Sequence, residues 1–219
     1  MAYRQTQNTL QKKAERRRQI VDAARKLFSA NDYSSTTMDQ IVKEAGTSIG
    51  NCYFYFSGKE ILLSEIVKEI ISEIWDYADM QLSEVSTGIR KLAVIFYYSL
   101  LRVLEHNDIA QLILTGYSLP NVRKQMLEDF RVRVKKLVDE DPNLFTGGNS
   151  DLEIFSVLGV YFTILERKRS GELEPDIAVL CNFFTNWNLS ALGYSKEQTD
   201  DAVGIVNKIM ELNENSLLS

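Results

Sequence analysis

The chain has 219 residues, of which 45% are hydrophobic and 25% charged, an ordinary composition for a globular protein with a substantial core. No stretch approaches the ~20 consecutive apolar residues of a membrane span, and no apolar run with a cleavage site follows the basic start. Two cysteines, Cys52 and Cys181, are too few for a disulfide framework and fit a reducing compartment. We therefore expect a cytoplasmic protein without membrane association.

Charge is distributed unevenly along the chain. The net charge is −5, but residues 1–60 contain ten Lys or Arg against six Asp or Glu, a balance of +4. Residues 61–219 contain the remaining 15 basic and 24 acidic residues, a balance of −9. A basic first segment can bind phosphates while the acidic remainder repels nucleic acid. An ordinary solvated charge run is the alternative, and charge alone leaves both interpretations open.

Apolar residues recur with a helical period almost everywhere between the three prolines. A first helix ends near Asn31, and the next three are predicted at 38–45, 48–54 and 58–83. Later helices are predicted at 89–106, 108–117, 120–140, 151–169, 175–192 and 196–213. No alternating strand pattern and no internal repeat occurs, so the predicted fold class is all-α.

Residues 37–56 have the ingredients of a helix-turn-helix. The stretch Thr37–Gln40 has the sequence of a capping box, in which a hydroxyl and the side chain three residues later satisfy free backbone N–H groups. A tight turn at Gly46 follows, and then a second short helix, the one that enters the major groove in such motifs. The stretch Ser57–Glu60 predicts a second capping box at the start of the fourth helix.

The two sides of the third predicted helix differ in character. Cys52, Tyr55 and Phe56 share the side that would pack inward. The opposite side carries Ile49, Gly50, Tyr53 and Phe54, with Asn51 near its edge. An apolar side chain can contact a thymine methyl, and Asn can pair with adenine through two hydrogen bonds. Core packing under the fourth helix is the alternative, favoured for Tyr55 and Phe56 and open for Tyr53 and Phe54.

The stretch from Thr36 to Glu60 resembles the N-terminal signature of the TetR/AcrR family of transcriptional regulators. It reads TTMDQIVKEAGTSIGNCYFYFSGKE, with the double Thr, the Ala-Gly-x-Ser turn, the Tyr-x-Tyr-Phe and the Lys-Glu of that signature. The flanking residues that also match are Ile20, Ala23, Ala24, Leu27, Phe28 and Leu62. The resemblance covers about residues 15–65, and the rest of the chain is similar only in length and helix pattern.

The resemblance implies a DNA-binding domain over 1–58, with its helix-turn-helix at about 37–56, and a helical ligand-binding and dimerisation domain over 59–219. It further implies a homodimer that binds palindromic operator DNA, most simply as a repressor, and that a small hydrophobic or aromatic effector releases. An activator fits the same residues. So does a DNA-binding protein of this fold that has no effector and a structural or cell-division role.

Carried over by position, the resemblance assigns DNA contacts to eight residues: Thr37, Ser48, Ile49, Gly50, Asn51, Tyr53, Phe54 and Lys59. Thr37 would cap the second helix against a phosphate, and Tyr53 and Lys59 would bind phosphates. Ile49 stands where many members carry a polar or basic residue, and Asn51-Cys52 replaces a small residue and Leu. The operator sequence therefore does not follow from the resemblance. The basic segment Lys12, Lys13, Arg16, Arg17 and Arg18 would add phosphate contacts.

The C-terminal part supplies two further candidate sites. Broad apolar faces on the helices at 151–169 and 175–192 imply, by the resemblance, a four-helix bundle with a second copy, through Phe155, Leu158, Phe162, Phe184 and Trp187. Residues 75–130 are rich in aromatic side chains, and by analogy with the family an effector cavity lies among them: Trp75, Tyr77, Phe96, Tyr97, Tyr98, Tyr117 and Phe130. Such a cavity would be apolar with polar points. Internal core packing is the alternative for both sets.

An enzyme is the main rival class. His106 is the only histidine and lies at a predicted helix end, where it fits a C-terminal cap better than a catalytic base. One histidine excludes a His-based metal cluster, and Gly147-Gly148 fits an ordinary loop. We therefore predict no catalytic residue, no metal site and no cofactor. Cys52 is interpreted as a small core residue rather than a redox sensor.

Overall fold

The computed structural model describes residues 7–81, 88–142, 144 and 150–217. Over these residues the chain forms ten helices and no strand. They are α1 (Gln7–Asn31), α2 (Met38–Glu44), α3 (Ile49–Tyr55), α4 (Lys59–Gln81), α5 (Ile89–Glu105), α6 (Asn107–Ser118), α7 (Pro120–Glu140), α8 (Ser150–Arg169), α9 (Ile177–Ala191) and α10 (Lys196–Leu217). The all-α prediction is confirmed. The predicted loop at Gly147-Gly148 lies outside the described residues.

None of the helices in the described ranges is both long and apolar enough to cross a bilayer.

Helix α1 ends where the sequence predicts it, because Asp32 adopts the left-handed conformation at φ +63° directly after α1. Asp and Asn tolerate this conformation better than other residues with a side chain.

The chain divides into two compact units. The head unit comprises Met1–Glu69 together with Gln111–Met126, and the body unit comprises Ile70–Ala110 together with Leu127–Ser219. The functional boundary expected after residue 58 stays a prediction, because a packing unit and a functional domain need not coincide.

The core of the head unit forms where α1, α2, α3 and the first turns of α4 meet. Its fully buried side chains include Ile20, Phe28, Ile41, Cys52, Phe56, Leu62, Leu63 and Ile66. Burial of each large apolar side chain stabilises the folded state by about 1.5–3 kcal/mol, because apolar surface is removed from water. The short helices α2 and α3 are too short to be stable alone and depend on this packing.

The segment 111–126 also contributes to the head core. A Cβ added at Gly116 would lie 3.0 Å from Cγ2 of Val67 and 3.2 Å from Cγ1 of Val122, so the glycine permits a close approach of three helices. Val67 and Val122 are both buried. Ser64 donates a hydrogen bond to Gln125 beside them.

The body unit is built around α5, which packs on α8, α9 and α10. Six consecutive residues of α5, from Leu92 to Tyr97, are buried, because helices cover it on several sides. The Tyr161 hydroxyl donates a hydrogen bond to the Ser99 carbonyl at 3.3 Å. Burial raises the pKa of Tyr161, so this buried phenol stays protonated.

Candidate nucleic-acid interface

The two adjacent threonines before α2 have different roles. Thr37 is the N-cap: its hydroxyl accepts a hydrogen bond from the Gln40 backbone N–H at 3.2 Å, and its own N–H donates to Oε1 of Gln40 at 2.7 Å. The predicted capping box is therefore confirmed. Thr36 is buried, and its hydroxyl donates to the Asp32 carbonyl at 2.9 Å. Together these bonds fix the entry into α2.

The capping box predicted at the start of α4 is wrong. The helix begins at Lys59, and the Gly58 carbonyl accepts the first helical bond from the Leu62 N–H at 3.3 Å. Among the described residues no hydrogen bond joins Ser57 and Glu60.

Lys59, predicted to bind a phosphate, is tied to the loop between α1 and α2. Its ammonium donates to the carbonyls of Tyr33 at 2.8 Å and Thr36 at 2.6 Å, with Ser34 at 3.4 Å. The same ammonium lies 4.6 Å from the centroid of the Tyr33 ring. A lysine ammonium has three donors, and these carbonyls occupy all of them. Lys59 thus holds the loop between α1 and α2 against the start of α4 through these hydrogen bonds.

The turn between α2 and α3 is closed by backbone hydrogen bonds. Gly46 has φ +60°, its N–H donates to the Lys43 carbonyl at 3.3 Å, and the Thr47 N–H donates to the Val42 carbonyl at 3.0 Å. This is the Schellman pattern, which favours glycine at the left-handed position. Ser48 then caps α3 by accepting from the Asn51 N–H at 3.2 Å. The predicted helix-turn-helix geometry is therefore present.

The two faces of α3 divide as the helical wheel predicts. Cys52 and Phe56 are buried, whereas Ile49, Tyr53 and Phe54 are 40%, 50% and 70% exposed. Tyr55, predicted to be a core residue, is only half-buried and lines a groove beside α1. The core interpretation left open for Tyr53 and Phe54 does not hold. Burial raises the pKa of the Cys52 thiol, so it stays protonated and unreactive, as expected of a core cysteine.

Gly50 is exposed in the middle of this face, and nothing in the head unit explains why it is a glycine. A Cβ added there meets no atom within 4 Å, and its φ is not positive. A glycine in a helix costs up to about 1 kcal/mol relative to Ala. The position is therefore suited to a close approach by something outside the protomer.

Gly50→Ala is expected to stabilise the free protein by about 0.5–1 kcal/mol. It is expected to weaken binding to a duplex about ten-fold or more, because the new methyl group occupies space at the surface of contact, and tenfold corresponds to about 1.4 kcal/mol. Urea unfolding and fluorescence anisotropy with a duplex selected from a random pool measure the two effects. Gly204→Ala is the matched control, because Gly204 is also exposed with nothing within 4 Å. Unchanged duplex affinity in Gly50→Ala would contradict this role.

Asn51 is half-buried at the edge of the same face. Its Nδ2 donates to the Thr47 hydroxyl at 2.7 Å. It also lines a groove of about 430 Å³ along α1 and α3, whose other lining residues are Thr9, Lys12, Lys13, Glu15, Arg16, Gln19 and Tyr55. The amide expected to pair with adenine is therefore engaged within the head unit.

The groove brings positive charge to the edge of the exposed face. Lys12, Lys13 and Arg16 line it against one carboxylate, Glu15. The Lys13 ammonium lies 5.9 Å from the centroid of the Phe54 ring. Ammonium and guanidinium groups beside an exposed aromatic face are typical of surfaces that bind nucleic acid.

The other two arginines of the basic segment have partners within the protein. Arg17 forms an ion pair with Glu65 at 2.8 Å, and its guanidinium lies 5.0 Å from the Phe56 ring centroid. This pairing lowers the pKa of the Glu65 carboxyl and raises that of Arg17. Arg18 lies 3.9 Å from Asp22 on the solvent side of α1. The cations of the basic segment that line the groove are therefore Lys12, Lys13 and Arg16, and the Arg16 guanidinium also donates to the Gly46 carbonyl at 3.5 Å.

Three of the five residues predicted for the dimer interface are core residues. Leu158, Phe162 and Phe184 are buried in the body unit, and the Phe184 ring makes an edge contact with Phe96 at 5.8 Å between centroids. For these three the alternative of internal packing applies.

Phe155 and Trp187, by contrast, are exposed on α8 and α9. They belong to a wider apolar surface whose other members the candidate set omitted: Leu152, Val179 and Phe183. The rings of Phe183 and Trp187 stack at 6.2 Å, and both side chains are 54% exposed. An apolar groove of about 530 Å³ adjoins them on the same helices. We call these five residues the α8–α9 surface. The i, i+4, i+8 spacing of 179, 183 and 187 is the signal that identifies its α9 stripe.

The residues predicted to line an effector cavity have mixed environments. Phe96 and Tyr97 are buried in the body core, and Trp75 is buried beneath the Arg133 guanidinium, which lies 5.5 Å from its ring centroid. The rings of Tyr77 and Tyr98 stack at 3.6 Å between centroids.

The remaining two cavity candidates, Tyr117 in the head unit and Phe130 in the body unit, are half-buried. The role of all seven candidates as ligand contacts stays a prediction.

His106 and the acidic residues do not form a metal site in the part of the chain that is described, where no cluster of three or more potential ligands occurs. His106 is the C-cap of α5, as its position in the sequence predicts.

Comparison with known proteins gives matches for both the motif and the fold. Residues 20–66 match the family model described as bacterial regulatory proteins, tetR family. The fatty acid metabolism regulator protein of Bacillus subtilis (strain 168) is 25% identical over 196 residues, covering 89% of this chain and 91% of that protein.

Two solved structures have the same fold. FadR from Bacillus subtilis in complex with stearoyl-CoA has a TM-score of 0.60 at 21% identity, and the match covers 78% of this chain and 97% of FadR. RolR in complex with resorcinol has a TM-score of 0.62 at 17% identity, covering 89% of this chain and 95% of RolR.

The fold and the exposed third helix define a DNA-binding protein of the helix-turn-helix class. Its residues 20–66 form the N-terminal domain of the tetR family of bacterial regulatory proteins.

Proposed function

We propose that the protein is a repressor that binds a palindromic operator as a homodimer and leaves it when a hydrophobic effector binds. The observation that carries the proposal is the exposed face of α3, where Ile49, Tyr53 and Phe54 surround an unhindered Gly50 beside a cationic groove. A solvent-exposed cluster of large apolar side chains on a seven-residue helix is costly unless a partner covers it.

The α8–α9 surface supports the homodimer. It exposes five large apolar side chains on two neighbouring helices, and a monomer in water rarely keeps such a patch uncovered. One seven-residue helix also reads too few bases for a specific site. Two heads about 34–36 Å apart match successive major grooves of a palindrome. We therefore assign this surface to a second copy of the chain.

The effector is proposed to be hydrophobic, with an acyl-CoA as the first candidate. The similar Bacillus subtilis protein is named a regulator of fatty acid metabolism, and FadR of the same fold holds stearoyl-CoA. RolR, which holds resorcinol, makes a small aromatic compound the second candidate. Release follows if the effector binds a conformation in which α4 holds the two heads at the wrong spacing, since a ligand shifts an equilibrium by its difference in affinity for the two states.

Selection from a pool of random duplexes with the purified protein tests DNA binding and symmetry together. We expect an inverted repeat whose half-sites lie about 10 base pairs apart, one helical turn. A promoter carrying this repeat should be transcribed less in the presence of the protein. Enrichment of an asymmetric sequence would contradict binding by a symmetric dimer.

Stearoyl-CoA is expected to raise the melting temperature of the protein and to weaken its binding to the selected duplex. At 100 times its dissociation constant, the ligand contributes about 2.7 kcal/mol, which is roughly 5–10 °C for a chain of this size. Duplex affinity should fall about 5–150-fold, the usual range of allosteric coupling. Coenzyme A alone and resorcinol are the comparison ligands. Failure of stearoyl-CoA and resorcinol alike would favour a regulator without such an effector.

A further inference from the structure

Since operator binding through α3 is itself a proposal, the inference that follows rests on it. We infer that the protein distinguishes base pairs chiefly through thymine methyl groups, which Ile49 and Phe54 contact in the major groove.

The large side chains that α3 exposes are mostly hydrocarbon. Phe54 is 70% exposed, Tyr53 50% and Ile49 40%, and of these three only Tyr53 carries a polar group. Gly50 beside them has no side chain. The α3 face therefore offers hydrocarbon where helices of this kind commonly offer hydrogen-bonding groups. Among the base-edge groups of the major groove, the C5 methyl of thymine is the apolar one.

The one amide on α3 that could read a base by two hydrogen bonds is already engaged. Asn51 donates from Nδ2 to the Thr47 hydroxyl at 2.7 Å, and its side chain is half-buried along the groove against α1. A bidentate pair with adenine needs both the amide N–H and the carbonyl oxygen turned to the same base. One of the two Nδ2 hydrogens of Asn51 is committed to Thr47, and this bond restricts the rotation that would turn the amide towards a base.

The polar groups that remain on α3 are hydroxyls. Ser48 caps the helix, and Tyr53 presents its phenol on the exposed face. A hydroxyl is both donor and acceptor, so it accommodates different bases and also binds phosphate oxygens. The cations of the adjacent groove, Lys12, Lys13 and Arg16, fit phosphates, and such contacts position a protein without reading sequence. The contacts that distinguish one base pair from another are then the apolar contacts of Ile49 and Phe54.

The test replaces thymine by uracil, which pairs identically and lacks only the methyl group. The full-length protein first selects a duplex from a random thymine-containing pool, and the selected duplex is then synthesised with deoxyuridine at every thymidine position. Each buried methyl contributes about four-fold in affinity. A palindrome has two half-sites, so we expect a loss of about 15-fold for one contacted methyl per half-site and about 250-fold for two.

Variants of the protein show which side chains are responsible for the preference for thymine over uracil. The double variant Ile49→Ala, Phe54→Ala is expected to bind the thymine and uracil duplexes with equal affinity. Both side chains are exposed, so the variant should fold, and its circular dichroism should match that of the wild type. Asn51→Ala is the control, expected to keep the full wild-type ratio between the two duplexes.

The outcomes separate this inference from the proposed function. Enrichment of a duplex that binds equally well with uracil would overturn methyl readout and leave operator binding intact. Loss of the thymine preference in Asn51→Ala, with retention in the double variant, would also overturn it. If no duplex is enriched at all, the proposed function fails and this inference with it.

Discussion

Phe183→Glu is expected to leave the protein monomeric and to weaken its binding to a palindromic duplex by about 10²–10⁴-fold, the usual gain from binding with two linked heads. The side chain is 54% exposed and stacks on Trp187 in the α8–α9 surface. A carboxylate there would be buried without a partner in a dimer, at a cost of several kcal/mol. Light scattering should give one chain of 25.1 kDa rather than a species of twice that mass.

Val132→Glu on α7 is the matched control for this variant. Val132 is 63% exposed in the same body unit and outside the α8–α9 surface, so the same charge should change neither mass nor duplex affinity. Both variants should keep the helical circular dichroism of the wild type. A Phe183→Glu protein that remains a dimer would refute the assignment of this surface to a second copy.

Lys59→Met is expected to destabilise the protein by about 3 kcal/mol, because hydrogen bonds to a charged group contribute about 1.5–3 kcal/mol each. The substitution keeps most of the apolar stem and removes the ammonium that binds the carbonyls of Tyr33, Ser34 and Thr36. Urea unfolding should show the loss, together with a melting temperature lower by roughly 6–12 °C.

The salt dependence of duplex affinity distinguishes a structural role of Lys59 in this loop from a phosphate contact. If Lys59 neutralised a phosphate, its removal would reduce the slope of log affinity against log salt by about 0.9. We expect that slope to stay unchanged in Lys59→Met at a temperature where the variant is folded. Lys43→Met, on the exposed surface of α2, is the control for losing one positive charge and should not change stability by more than about 0.5 kcal/mol. A Lys59→Met protein that is as stable as the wild type and has a shallower salt slope would support the assignment of Lys59 to a phosphate contact.

Features that depend on neighbouring residues could be predicted from the sequence. The capping box at Thr37, the turn at Gly46 and the order of the helices involve residues within four or five positions of one another, and the sequence pattern identifies them. The same pattern at Ser57–Glu60 predicts a capping box that does not form, because α4 begins one residue later, after Gly58. The inward side of α3 follows in the same way, since the helical period places Cys52 and Phe56 together.

Features that depend on distant parts of the chain could not be predicted in this way. The bonds of Lys59 join residues 23 to 26 positions apart, and nothing in the sequence marks the carbonyls of that loop as its acceptors. In α9, Phe183 and Phe184 are adjacent and chemically identical, yet one is exposed and the other buried. Which of them turns inward is decided by the packing of α5 and α9, which a broad apolar face does not reveal.

The head unit is assembled from two separate stretches of chain, Met1–Glu69 and Gln111–Met126. A hybrid protein that joined only the first seventy residues to the C-terminal helices of another regulator would lack Gly116 and Val122. Val67 would then lose the close packing that these two residues provide. A hybrid that keeps the packing of this head unit therefore needs both stretches of chain.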